Sequence, residues 1–83
     1  MANDKQFNIA GTGSLVAQEF GFWADYQSIR VTGATAYLSW NGTDLLSIGA
    51  GQGIEYDNHR RCKLWVSGTG ATITVIVSSN SEV

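Results

Sequence analysis

The residues best equipped for chemistry are scarce: one histidine, His59, stands three positions before one cysteine, Cys62. An imidazole can activate a thiol as a nucleophile, provided both converge in an accessible site. Alternation along Arg61 to Ser67 instead sets Cys62 with Leu64 and Val66 on an apolar face, and His59 lies in the polar run Asp57-Asn58-His59-Arg60-Arg61, which opens with turn residues. Cys62 therefore reads as a buried structural thiol. Ser39 and Ser47 have no second histidine to activate them. The carboxylates Asp25, Asp44, Glu55 and Asp57 are scattered over separate segments, as solvated or turn-capping groups are, and no run resembles a calcium loop. One histidine and one cysteine fall short of the about four N/S ligands of a zinc site. No metal, no cofactor and no enzymatic activity is expected.

Two further motifs have simple local explanations. Gly49-Ala50-Gly51-Gln52-Gly53 has the glycine content of a phosphate loop, but no helix follows it, so a flexible loop is expected. Asn41-Gly42-Thr43 matches a glycosylation acceptor, and Asn41-Gly42 reads more directly as a two-residue type I′ turn.

Arg60-Arg61-Lys63 is the basic cluster of the chain, and guanidinium groups make bidentate bonds to carboxylate or phosphate. An ion pair across a subunit or partner surface is the expected use. Among the aromatics, Trp40 and Phe20 or Phe22 suit a core. Tyr37 and Trp65 alternate onto faces opposite their apolar neighbours and would be exposed in a monomer. Interfaces are enriched in such residues, so Phe22, Trp23, Tyr37, Arg60, Arg61, Lys63 and Trp65 form the candidate partner or subunit interface. The rival use is sugar stacking on Trp23, Tyr26 or Trp65, with Asn and Asp side chains bonding the hydroxyls.

The elements that must position these groups are strands, because alternation with period two recurs along nearly the whole chain. Ala71 to Ser78 sets Ile73, Val75 and Val77 on one face and is expected to form a hairpin with Arg61 to Ser67 across Gly68-Thr69-Gly70. Gln27 to Thr32, with Ile29 and Val31 inward, is expected to form a second hairpin with Ala34 to Trp40. Thr43 to Ile48, Ile54 to Tyr56 before an Asp57-Asn58 turn, Gln6 to Ala10 and Ser14 to Phe20 complete the set. The fold class is all-β: a single small antiparallel β-sandwich or jelly-roll-like barrel of about seven to eight short strands. One domain spans residues 1–83, with 1–5 and 79–83 as flexible tails.

Composition bounds the partners. With 83 residues and one cysteine, the chain has a small core and no intrachain disulfide, which leaves association into a homo-oligomer as the supplement. Charged residues make up 14%, against about 25% in typical soluble domains. A formal charge of −2 with no basic face argues against nucleic acid. The first residues lack the basic and apolar regions of a signal peptide, and no apolar run is long enough to span a bilayer, so no membrane partner is expected.

The segments Ser28 to Thr43, the glycine-rich Gly49 to Gly53 and Lys63 to Val75 together resemble small β-sandwich virion proteins of tailed bacteriophages, most nearly capsid decoration (cement) proteins. The resemblance implies a homotrimer, made in the host cytoplasm and placed on the virion surface. There it binds the major capsid protein and staples capsid subunits without catalysis. The alternative is a carbohydrate-binding module, or a tail or fibre accessory, with glycan as the partner.

Overall fold

The computed structural model describes residues 3–79. Six strands form one sheet: β1 (Asn3–Ala10), β2 (Val16–Thr32), β3 (Ala36–Ser39), β4 (Leu46–Ile48), β5 (Gly53–Ser67) and β6 (Thr72–Ser79). They lie in the order β1-β6-β2-β5-β3-β4, and every pairing is antiparallel. The class is all-β, as the alternation requires, with fewer and longer strands than expected. β2 has 17 residues and takes in Val16 to Phe20 of the expected Ser14 to Phe20 strand together with Gln27 to Thr32, while β5 has 15 and absorbs both Ile54 to Tyr56 and Arg61 to Ser67. Asp57-Asn58 does not turn the chain. Asn58 takes a φ of 61° inside the strand, a left-handed conformation asparagine tolerates, and the chain continues along β5 through it.

The long strands bend where their registers slip. Val16 to Glu19 pairs with Lys63 to Val66, and Tyr26 to Arg30 pairs with Gly53 to Asp57. Between the Glu19–Lys63 and Ala24–Arg61 pairs, β2 advances five positions against two on β5; between Ala24–Arg61 and Tyr26–Asp57, β2 advances two against four. Phe20 to Trp23 is thus a bulge in β2, and Asn58 to Arg60 a bulge in β5 beside it. Bulges of this kind kink and twist a ladder. Ile29, Val31, Ile73, Val75 and Val77 on one side of the bend share a single buried cluster with Ala36, Leu38, Ile48, Leu64 and Val66 on the other. A flat sheet cannot cover its own face, so the sheet is folded over on itself into a barrel-like body. Phe20 sits fully buried at the fold line, stacked on Phe7 at 6.1 Å between ring centroids. Burying it stabilises by about 2–3 kcal/mol, more than the roughly 1 kcal/mol net of a ladder bond lost in a bulge.

Two expected hairpins do not form. β5 and β6 are not neighbours: Arg61 to Ser67 pairs with β2 and β3, and β6 with β1 and β2. Gly68 is buried, with its amide donating to the Thr12 carbonyl, and Gly68-Thr69-Gly70 carries the chain across the fold. Likewise β2 and β3 are separated by β5. The β3–β4 hairpin does form, but through residues 40–45, and Asn41 lacks the positive φ of a type I′ turn. Its Oδ1 accepts from the amides of Thr43 and Asp44, both at 2.8 Å, and makes a wider loop. Residues 49–52 are likewise not a loose loop. The Gln52 amide closes a turn on the Gly49 carbonyl at 3.0 Å, and the Gly51 amide bonds Val31 of β2 at 2.8 Å. Asn3, Asp4, Lys5 and Ser79, expected in tails, are paired in strands; residues 1–2 and 80–83 lie outside the described residues.

Candidate functional site

The two bulges bring the aromatic segment of β2 beside the basic segment of β5. Gln27 fastens them. Its side chain is fully buried, and its Nε2 donates to the carbonyl of Ala24 at 3.0 Å and of His59 at 2.7 Å. One amide group thereby bonds a carbonyl from each strand at the bend. Gln27 Oε1 accepts a long bond of 3.4 Å from Arg61.

Above this anchor lies a shallow pocket of about 220 Å³, lined by Trp23, Trp40, Arg60, Arg61, Cys62 and Lys63. Arg61 Cζ lies 3.9 Å from the Trp40 ring centroid and 4.5 Å from that of Tyr56. The two rings meet edge to face at 5.3 Å. Partial burial lowers the Arg61 pKa from its ordinary value, and the neighbouring Tyr56 acts in the opposite sense. Guanidinium ionises at so high a pH that the group stays charged, so desolvation is a cost that ring stacking offsets. Arg60 lies 5.8 Å over Trp23 and 3.6 Å from Asp25, and Lys63 lies 4.9 Å over Trp65. The Trp40 indole N–H is buried without an acceptor among the described residues.

Of the candidate interface residues, Trp23, Arg60, Arg61 and Lys63 share this pocket, and Phe22, Tyr37 and Trp65 do not line it. Phe22 packs against the core, and Tyr37 stands on β3, opposite Ser47 and Ser67. Trp65 is half-buried, with Lys63 over its ring and the backbone of Gly42 close against it. Among the possible sugar platforms, Trp23 is 53% exposed, whereas Tyr26 and Trp65 are half-buried. His59 lies with Nδ1 2.8 Å from the Asp57 carbonyl and its ring against Tyr56. Cys62 is half-buried at the pocket wall, not on the sealed face the alternation implied.

Sequence reasoning overlooked Gln27 and Tyr56; Trp40, assigned to the core, packs against it and also walls the pocket. For Gln27 a signal existed: it shares the inward face of Ile29 and Val31 at spacings of two. Two larger clefts lie elsewhere. One, of about 410 Å³, is lined by Ser28, Ile29, Arg30, Gly53, Ile54 and Glu55; the other, of about 420 Å³, runs beside β4 from Leu46 to Ile54. Neither has an aromatic wall. Among the described residues no three His, Cys, Asp or Glu side chains are grouped to hold a metal ion.

No family model matches the sequence, and no curated protein matches it. The fold is similar to that of a cupin-2 domain containing protein from Shewanella frigidimarina NCIMB 400, at 12% identity and a TM-score of 0.52, covering 92% of this chain and 68% of that one. This overturns the resemblance to phage decoration proteins, and with it the capsid-stapling function and virion location. The trimer and the capsid partner rested on the same resemblance and lose that ground. At such identity the likeness speaks for fold alone: an antiparallel, barrel-like β domain of the general kind found in that cupin-2 protein.

Proposed function

We propose that the chain is a jelly-roll-like carbohydrate-binding module, not an enzyme, whose ligand stacks on Trp23 at the bend of the sheet. The observation that carries this reading is an indole 53% exposed at the wall of a pocket whose other members are hydrogen-bond donors. An exposed indole loses little conformational freedom on binding and presents an apolar face to the C–H face of a sugar ring. Arg60, Arg61 and Lys63 supply N–H donors around that face, and Asp25 supplies an acceptor for a hydroxyl. Gln27 and the two bulges hold the strands beneath it, so the platform rests on rigid elements.

A glycan array tests the reading. Saturable binding to a defined saccharide is expected, lost on Trp23→Ala while the melting temperature stays within a few degrees of the parent. Loss on Trp65→Ala with retention on Trp23→Ala would overturn the placement, and binding to no glycan would overturn the function.

A further inference from the structure

We infer that the saccharide this pocket takes is anionic, carrying a carboxylate or sulfate that sits among Arg61, Lys63 and Arg60. The inference rests on the carbohydrate-binding reading and names the class of its ligand. Five lysine and arginine residues occur in the whole chain, and three of them line this one pocket of about 220 Å³. The pocket is therefore the cationic centre of a chain whose formal charge is −2. Among the described residues, Asp25 stands 3.6 Å from Arg60, and Glu19 is the cross-strand partner of Lys63. Among the described residues, the contacts of Arg61 are two aromatic rings and the long bond to Gln27.

Cation–π stacking alone accounts for the cations as covers for aromatic rings. It does not use their hydrogen bonds. A guanidinium packed against rings keeps the N–H groups that the long bond to Gln27 does not use, and such groups meet an oxyanion in a bidentate pair. Contact with Trp40 and Tyr56, whose rings meet edge to face, also restrains the Arg61 side chain, so less freedom is lost when the oxyanion arrives. A neutral sugar gains nothing particular from three positive charges, and their mutual repulsion weakens the empty site. An anion relieves that repulsion and gives the partly buried Arg61 guanidinium an electrostatic partner.

Calorimetric titration of the intact protein with tetragalacturonate, its fully methyl-esterified form and a sulfated galactotetraose separates the possibilities, since the ester keeps the sugar and removes the charge. Tetragalacturonate, the sulfated sugar or both are expected to bind about tenfold tighter than the ester, with the tighter one identifying the oxyanion. Lys63→Gln, which keeps most of the side chain's length, is expected to cut that preference about threefold or more without moving the melting temperature. Arg30→Gln, at a different cleft, leaves it intact. Equal affinity for the acid and its ester would overturn this inference and leave the sugar-binding reading standing. Binding of none of the three at millimolar concentration, alongside an array hit for another neutral glycan, would also overturn it. Absence of binding to any glycan would remove both.

Discussion

Gln27 is the side chain on which the bend depends most. Replacing it with leucine keeps most of the volume but strips the Ala24 and His59 carbonyls of their donor. A buried group left unsatisfied costs about 1–3 kcal/mol, and the Ala24 bond is the buried one of the two, so Gln27→Leu is expected to destabilise by about 1–3 kcal/mol in chemical denaturation. A change below about 0.5 kcal/mol would show that the two carbonyls find other partners. Trp40→Phe provides a contrast at the same site. It removes an indole N–H that has no acceptor while keeping a ring beneath Arg61, so the lost area and the relieved orphan donor offset each other to within about 1 kcal/mol. The Gln27 anchor was readable in part, since a polar residue in phase with Ile29 and Val31 needs a buried partner. Which carbonyls it serves was not readable, because His59 reaches it only through the β2–β5 pairing.

At the scale of the strands, local alternation was legible and pairing was not. Ile29, Val31, Ile73, Val75 and Val77 are all buried as their period-two pattern required. The pairs they form, Ile29 with Val75 and Val31 with Ile73, join segments far apart in the chain, and short glycine connections suggested nearer partners instead. Gly68 sits where the chain crosses the fold between β5 and β6. A Cβ there would stand 2.7 Å from the Thr35 carbonyl oxygen and 2.8 Å from Ala36 Cα, at a φ of 134°. Both obstacles are backbone, so Gly68→Ala is expected to cost about 3 kcal/mol or more, or to prevent folding. Gly51, at a φ of 83°, meets nothing within 4 Å, and Gly51→Ala should cost only about 1 kcal/mol of left-handed strain. Thermal unfolding of the two variants side by side separates close approach from backbone conformation, and equal losses would contradict the distinction. The sheet also leaves β4 as an edge, with Leu45 57% and Leu46 40% exposed. The edge strand is only three residues long, yet exposed leucines at an edge favour pairing with a second chain. Light scattering should show a mass above the monomer that Leu46→Lys reduces. A monomer in the parent would reject this.

Over the whole molecule, charge is distributed unevenly. With Arg60, Arg61 and Lys63 at the bend, the remainder of the chain holds two basic residues against seven acidic ones. The sequence already shows the Arg60-Arg61-Lys63 cluster within a mildly acidic chain, and the two facing bulges place it in one pocket with Trp23 and Trp40. At low salt such a pocket attracts anions, and that attraction is screened over about 10 Å at 0.1 M ionic strength. The fold class was legible because alternation alone dictates it. The bend was not, because it depends on register slips between distant segments. The account's central claim, that ligand binds at this bend, is tested most directly by following the three tryptophan indole N–H signals in an NMR titration with the best saccharide from the array. The indoles of Trp23 and Trp40 and the backbone amides of residues 60–63 should shift together and saturate, while the amides of β1 stay in place. Shifts confined to residues 46–54 would place the ligand in the cleft beside β4 and contradict the account.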